Sequence, residues 1–201
     1  MSLRETALEE IRSAIAVGDL GEDRIFSAAG LAKTLGMSLS PVREAMMSLV
    51  ADGTVEAVPN RGYRLVPVTR ADLDEILHLR LLLAAPAVQA LCDARDPVLV
   101  RNLRTAADDA VVAAEAEDRK SFFAADRRFH FLILSRGLGE RAASIGLRLR
   151  DQSRVAHDEE KPRQADRDSA AQLNRLIDLI EAGEAERAVD LVDDNLRYFL
   201  T

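Results

Sequence analysis

The sequence predicts a mainly α-helical protein in two parts: three helices with a two-stranded wing over residues 1–68, and an all-helical bundle over residues 69–201. Two observations predict this division. β-type segments flank a Pro-Asn-Arg-Gly turn in the first part, whereas after Val68 alanine and leucine dominate without a further strand signal. With 48% apolar residues the chain is expected to fold, and its 201 residues are enough for one large domain or two small ones.

The first two helices are predicted from apolar spacing and from their end signals. Apolar residues recur at helical spacing over Leu3–Ala16, and Gly18 interrupts the pattern. Ser27 is a suitable N-cap for a short second helix, because its hydroxyl can accept a hydrogen bond from a free backbone amide. That helix is predicted to stop at Gly36, since glycine readily adopts the left-handed conformation of a helix end.

The third helix and the wing complete the first part. Ser40 is predicted as the N-cap and Pro41 as the first helical residue, where its missing amide hydrogen costs nothing. The segments Thr54–Val58 and Tyr63–Val68 are predicted strands joined by Pro59–Gly62, in which glycine suits a positive φ. The order helix, helix, turn, helix and wing indicates a winged helix-turn-helix. The apolar face of the third helix consists of Val42, Ala45, Met46, Leu49 and Val50.

The second part is predicted to contain six helices separated by short breaks. In chain order they are Arg70–Ala94, Pro97–Glu117, Arg119–Arg136, Glu140–Glu160, Arg163–Ala182 and Glu184–Leu200.

Composition limits the function and the location. The net charge of −7 argues against a protein coated with basic residues that binds any polyanion. The longest stretch without charged residues, Leu81–Cys92, has 12 residues, whereas a membrane span takes about 20. The amino terminus is charged at once, with no apolar leader, and Cys92 has no second cysteine for a disulfide. We therefore expect a cytoplasmic protein with no membrane partner.

A helix-turn-helix presents the first turns of its second helix to the major groove of DNA. Ser38, Ser40 and Arg43 occupy this edge, where hydroxyls suit phosphate and arginine can reach phosphate or guanine. Arg61 and Gly62 at the wing tip are predicted to lie against the neighbouring backbone or minor groove, with glycine allowing close approach. The alternative is that both arginines are ordinary solvated surface charges.

The segments Leu31–Gly36, Ser38–Ala45 and Pro59–Gly62 together resemble the winged helix-turn-helix of GntR-type transcription regulators. The most specific piece is Ser-Leu-Ser-Pro-Val-Arg-Glu-Ala. With its helical remainder, the chain is similar throughout to the FadR branch of that family, whose carboxy-terminal part is called the FCD domain. The resemblance implies a homodimeric regulator that binds double-stranded operator DNA and responds to a small metabolite, an organic acid.

Two positions depart from the family pattern. The family usually has arginine where Leu39 stands, and often where Ala29 stands, and both positions face DNA in relatives. Each lost arginine contact would lower base discrimination by about 1–3 kcal/mol. The resemblance thus implies altered or weakened sequence reading.

Asp126 and His130, four residues apart, share one helical face, and neighbouring phenylalanines indicate that this face points inward. A mutual hydrogen bond, a metal or a ligand carboxylate would each satisfy such a pair. In FCD domains the matching Asp-x-x-x-His supplies two metal ligands, and two later histidines complete the site. Those positions fall on Leu173 and Asn195 here, so a divalent metal at Asp126 and His130 has an incomplete site. No cofactor is firmly predicted.

A ligand pocket can persist without a metal. Arg80 interrupts a run of leucines and matches an arginine that points toward the effector in the family. With it, His130 and Asn195 would grip an organic carboxylate while Asp126 orients His130. The alternative is that Arg80 snorkels at a helix surface, with its charged end in water.

The sequence shows no catalytic constellation, so we expect no enzyme. Two alternatives stay open. The first is a degenerate regulator that only dimerises as an interaction protein, for which Leu39 and Ala29 are the grounds. The second is a helical metal-dependent enzyme that uses Asp126 and His130 together with a ligand from a facing helix.

Overall fold

The computed structural model describes residues 2–21, 24–155 and 163–197, and the chain forms two compact units. The first unit comprises Met1–Arg70 with Asp151–Asp158, and the second comprises Ala71–Arg150 with Glu159–Thr201. Each unit is described separately below, within the described residues.

The first unit contains three helices and a hairpin in the predicted order. The elements are α1 (Leu3–Ala16), α2 (Ala28–Leu35), α3 (Leu39–Ala51), β1 (Val55–Val58) and β2 (Gly62–Leu65). The prediction for α1 is confirmed, and Ser2 caps it in a capping box with Glu5. α2 is also confirmed in its end signals: Ser27 Oγ accepts from the Gly30 amide at 3.0 Å, and Gly36 ends the helix with φ at 64°.

The start of α3 corrects the sequence prediction by two residues. Ser38, in an extended conformation, is the N-cap, and Pro41 is the third helical residue. Because the first four amides of a helix have no intrahelical acceptor, proline is tolerated throughout this turn. The hydroxyl of Ser40, predicted as the cap, instead donates to Glu44 Oε1 at 3.1 Å.

The wing is a two-stranded antiparallel sheet that is shorter than predicted. Val55 pairs with Leu65 and Val58 with Gly62, and the ladder ends before Pro67, which lacks an amide hydrogen. The prediction missed Phe26, which forms a bridge with Tyr63 through amide-to-carbonyl bonds of 2.7 and 2.9 Å.

Gly62 has an internal structural role. Its φ is 131°, and an added Cβ would lie 2.3 Å from the Phe26 carbonyl oxygen. The predicted close approach at this glycine is therefore made by a backbone segment of the same unit.

The core of the first unit fixes α3 from one side. The apolar face of α3 is buried against α1 and α2. Gln152 Nε2 donates to the Asp52 carbonyl at 2.9 Å, and Arg12 forms ion pairs with Asp52 and Asp151 at 3.2 and 3.0 Å. The buried apolar residues include Ile11, Ile15, Leu31, Val42, Met46, Leu49, Val55, Leu65 and Val155.

The predicted helices of the second part are all found. They are α4 (Arg70–Ala94), α5 (Pro97–Glu115), α6 (Arg119–Gly137), α7 (Glu140–Ser153), α8 (Arg163–Ala182) and α9 (Ala185–Arg197). In the second unit α5 packs against α6 and α8, and α8 packs against α9.

The largest correction in this part is the end of α7, which was predicted to continue to Glu160. The helix ends at Ser153, and Arg154 and Val155 form a turn with hydrogen bonds to residues three positions earlier. The turn allows Val155 to enter the core of the first unit. The rest of that predicted helix, and the end of α9 toward Leu200, lie outside the described residues.

α4 is the one helix in the described part of the chain that is long and apolar enough to cross a membrane by length and composition. Many of its residues are buried, including Arg80 and Cys92, as in the core helix of a folded domain. Burial also raises the pKa of the Cys92 thiol, in keeping with the expected role of this cysteine as a small core residue.

Candidate functional site

The outer face of α3 carries the residues that were predicted to contact DNA. Ser38, Ser40 and Arg43 are all exposed, whereas the opposite face, including Val42 and Leu49, is buried. The apolar face therefore fixes α3 in the unit and leaves the polar edge open to solvent. This is the arrangement that a groove-reading helix requires.

A groove of about 810 Å³ runs beside this edge. Its lining includes Arg43 from α3 and Arg4 from α1, whose Nη2 donates to Ser48 Oγ at 3.1 Å. Arg4 was missed at the sequence level, since nothing in its spacing shows that α1 places it beside α3. Two cations at one groove suit a polyanionic ligand, although Glu44 at the same groove counts against it.

The two departures from the family pattern both lie at the surface. Leu39 is the first residue of α3 and is 39% exposed, and Ala29 is exposed on α2. Met47, further along the outer face of α3, is also exposed. The outer face of α3 therefore presents two apolar side chains, Leu39 and Met47, to solvent.

The wing presents one arginine at its tip. Arg61 is exposed in the turn between the strands, beside half-buried Gly62. Arg64, on the strand that follows, forms an ion pair with Glu56 across the wing. The predicted site residue Arg61 is therefore exposed at the wing tip and belongs to neither strand.

The second unit contains a small cavity lined by charged and apolar side chains. Its volume is about 20 Å³, which is room for about one water molecule. Arg80 is only 5% exposed, so the snorkelling alternative is wrong. The lining residues are Arg80, Ala84, His130, Ile133, Leu134, Gly146, Leu147, Arg150 and Leu196.

The Asp126 carboxylate lies at the centre of a buried ion-pair network. Its Oδ2 accepts from Arg150 Nε at 3.1 Å and from Nη2 at 2.5 Å. Its Oδ1 lies 3.3 Å from His130 Nε2. The predicted contact of Asp126 with His130 is therefore present, and Arg150 is a second partner that was not predicted.

His130 is buried, and its charge state follows from that burial. Desolvation lowers the pKa of the imidazole below its ordinary value of 6.5, and the nearby guanidinium groups of Arg80 and Arg150 add to the lowering. Asp126 opposes this shift without overcoming it. The cavity's positive charge at neutral pH therefore comes from arginine, whereas the sequence analysis had considered a protonated ring.

The structure does not bring Asn195 into the cavity wall. Although Asn195 is buried, its Nδ2 donates to Ser169 and to Gln172 Oε1, the latter at 2.9 Å. Its neighbour Leu196 is the α9 residue that lines the cavity. Leu173 is fully buried in the core, as predicted.

A metal ion does not fit this set of residues. Both oxygens of Asp126 have protein partners, Leu173 offers no donor atom, and the Asn195 amide is engaged by α8. No group of three or more His, Cys, Asp or Glu side chains placed to hold a metal occurs among the described residues. The charged groups of this site are therefore the guanidinium groups of Arg80 and Arg150 and the carboxylate of Asp126.

Arg150 could have been found from the helical pattern. It follows Ala143 by seven residues and Leu147 by three, so it falls on the buried face of α7. An arginine in such a stripe needs an anionic partner, and Asp126 is the partner that the fold supplies.

Two known families match this chain, one in each part of the sequence. The family described as "Bacterial regulatory proteins, gntR family" matches residues 3–65, and the family described as "FCD domain" matches residues 75–198.

Relatives that match part of the chain are HTH-type transcriptional regulators. An uncharacterised one from Agrobacterium vitis is 36% identical over 108 residues, covering 52% of this chain and 63% of the relative. McbR of Escherichia coli K12 is 26% identical over 136 residues, covering 68% of this chain and 62% of McbR. The matched part of the chain thus spans less than two thirds of the length of each.

Solved structures show the same fold over the whole chain. E. coli McbR/YncC has a TM-score of 0.83 at 21% identity, covering 100% of this chain and 96% of that structure. A putative GntR transcriptional regulator from Rhodococcus sp. RHA1 has a TM-score of 0.75 at 22% identity, covering 98% and 95%.

Proposed function

The chain belongs to the GntR family of bacterial regulatory proteins and carries an FCD domain, and from this premise we propose that it regulates transcription in response to a small metabolite. We propose that residues 1–68 bind operator DNA and that residues 69–201 dimerise and bind the metabolite. The protein would act as a homodimer in the cytoplasm and would not be an enzyme.

The observation that carries the DNA-binding proposal is the outward edge of α3. Ser38, Ser40 and Arg43 are exposed at the start of a helix whose other side is fixed in the core. We propose that these residues contact the major groove, and that Arg61 and Gly62 follow the adjacent backbone or minor groove. Arg4 is placed beside Arg43 to add a phosphate contact.

The ligand proposal rests on the arginine-lined cavity. Arg80 and Arg150 place buried guanidinium groups in the wall of this cavity, and hydrogen bonds from guanidinium to carboxylate are strengthened by charge. We propose a small organic carboxylate as the effector, with Asp126 holding Arg150 and orienting His130. Asn195 would act by fixing α9 to α8 rather than by touching the ligand.

The effect of such a ligand on transcription has a thermodynamic limit. A ligand shifts the balance between DNA-binding and non-binding states only as far as its affinity for the two states differs. An effector that binds both states equally would leave operator occupancy unchanged.

The comparisons do not favour the interaction-protein alternative, because the relatives are named transcriptional regulators, although Leu39 and Ala29 leave two outward positions without arginine. The enzyme alternative lacks its basis, because Arg150 and His130 engage both oxygens of the Asp126 carboxylate.

A salt titration of DNA binding tests the proposal against the interaction-protein alternative. The purified chain is titrated against the DNA upstream of its own gene and against a shuffled duplex at several salt concentrations. We expect tighter binding to the upstream DNA and a logarithmic salt slope that is shallower by about 1 in Arg4→Ala, because that variant loses one phosphate contact.

The matched control is Arg128→Ala, which removes an exposed arginine that pairs with Asp109 in the second unit. We expect its affinity and salt slope to equal those of the wild type. Equal affinity of the wild type for the two duplexes, with and without candidate carboxylates, would leave only the interaction-protein alternative.

A further inference from the structure

We propose that Arg150 is a built-in replacement for a metal ion beside Asp126 and His130, so that the cavity takes a short-chain carboxylate without any metal. The identity of the ligand rests on the proposed function. The replacement itself rests on the contacts of Arg150, and the experiments below separate the two.

The first step concerns the position of the guanidinium. Arg150 is 3% exposed, and both its Nε and its Nη2 lie within hydrogen-bond distance of Asp126 Oδ2. Nη2 also donates to the Phe123 carbonyl at 3.0 Å, which fixes the plane of the group. A metal ligated by this carboxylate oxygen would need the place that the guanidinium holds. Arginine keeps its charge at every pH at which the protein folds, so the replacement is permanent.

The second step concerns His130. Its Nε2 lies 3.3 Å from Asp126 Oδ1. An imidazole nitrogen that carries a hydrogen for this carboxylate has no lone pair for a metal. The Asp126 carboxylate thus contacts the Arg150 guanidinium through one oxygen and the His130 imidazole through the other, so both oxygens are engaged within the protein.

The third step concerns the ligand. Arg80 and Arg150 both line the cavity, so a carboxylate there would accept from two guanidinium groups. Two of its lining residues pack closely against each other, because a Cβ on Gly146 would lie only 2.4 Å from Leu134 Cδ1. Because a cavity of about 20 Å³ holds about one water molecule, a carboxylate can enter only when the lining side chains move apart, and a short-chain carboxylate requires the smallest movement.

Metal rescue of an Arg150 variant is the direct test. Arg150→Ala removes the guanidinium from Asp126 Oδ2 and opens its space, so a divalent metal can bind there through Asp126, His130 and water, although weakly because only two protein ligands are present. We expect Zn²⁺ or Mn²⁺ to raise the melting temperature of EDTA-treated Arg150→Ala by about 5 °C at about 100 times its Kd, and that of the wild type by less than about 1 °C.

The matched control is the double variant Asp126→Asn, Arg150→Ala, which lacks the carboxylate and should show no rescue. Arg150→Met serves as a second variant in case Arg150→Ala does not fold. Independently of any variant, the wild type soaked in zinc and passed through gel filtration should retain less than about 0.1 metal per chain. Retention of one zinc per wild-type chain that is lost in Asp126→Asn would overturn the proposal, as would the absence of rescue in a folded Arg150 variant.

A second measurement addresses the ligand. Sodium acetate and sodium propionate, each compared with sodium chloride and acetamide, are added to the wild type in EDTA. We expect the carboxylates alone to raise the melting temperature, and the effect to disappear in Arg80→Met. A carboxylate effect that requires added metal would overturn the proposal. If no carboxylate acts while the metal rescue succeeds, the replacement by Arg150 stands and the carboxylate ligand of the proposed function is wrong.

Discussion

The two units depart from their family pattern in opposite places. In the first unit the changed residues, Leu39 and Ala29, are exposed and have no part in the core. In the second unit the changed residues, Leu173 and Asn195, are buried. There the Asn195 amide donates to Ser169 and Gln172 on α8, while Arg150 pairs with Asp126.

This difference shows what each kind of change requires. A change at an exposed position alters what the surface binds, and the fold tolerates it because water solvates whatever is exposed. A change in a buried polar site leaves charges and amides that must find new partners inside the protein. We therefore expect the removal of one charge to affect DNA binding in the first unit and stability in the second.

The largest effect is expected for Asp126→Asn. This change leaves the buried Arg150 guanidinium without its anion, and breaking a buried pair in this way costs about 3–5 kcal/mol. Urea unfolding followed by circular dichroism measures the loss. Asp109→Asn is the matched control, because it breaks an exposed pair with Arg128 that contributes about 0–1 kcal/mol. Equal losses in the two variants would contradict the difference between the units.

A smaller effect is expected for Arg43→Ala, and in DNA binding rather than in stability. The arginine is exposed, and its loss should weaken operator binding by about 1–3 kcal/mol, or about 5- to 150-fold. Fluorescence anisotropy with a labelled operator duplex measures this change, and the midpoint of urea unfolding should stay where it is. A shifted midpoint with unchanged affinity would place Arg43 in the fold instead of at the DNA.

Leu39→Arg tests the first unit by adding an exposed charge instead of removing one. It places an arginine at the exposed position where the family resemblance implies one, so it should add about 1 kcal/mol to the affinity for operators with guanine at the facing position. Binding to a set of duplexes that vary one base pair at a time measures the gain. A uniform gain on every duplex would show that the new arginine contacts phosphate alone.

The smallest effect concerns pH and His130. Burial lowers its pKa in the native state below 6.5, so the unfolded state binds the proton first as pH falls. The free energy of unfolding is therefore at its full value above about pH 6.5. It declines as the pH falls from there toward the lowered pKa of His130 in the native state. His130→Asn should flatten the decline in unfolding free energy between neutral pH and pH 5.5, whereas His78→Asn, at an exposed site, should not. Matching slopes in the wild type and His130→Asn would contradict this account.

The sequence predicted the helices well because apolar periodicity and end signals are local. Ser27 and Gly36 mark the ends of α2 in both the sequence and the structure. The cap of α3 was misplaced because proline is compatible with several positions of a first turn, so Pro41 did not define the start. The end of α7 could not be predicted, since it depends on Val155 entering a core formed by distant residues.

The site was predictable in part for the same reason. Asp126 and His130 share one helix, so their contact follows from spacing. Arg150 lies on another helix, and its pairing with Asp126 depends on how α6 and α7 pack. The groove beside α3 likewise needs α1 to bring Arg4 next to Ser48, which no local pattern encodes.

The central claim is that the outer edge of α3 reads DNA sequence, and a genome-wide pull-down tests it most directly. Fragmented genomic DNA is captured with the purified wild type and, in parallel, with Arg43→Ala, and both pools are sequenced. We predict a small set of strongly enriched fragments that share a two-fold symmetric motif and are depleted in the variant pool. Wild-type and variant pools with the same unenriched fragments would contradict the claim.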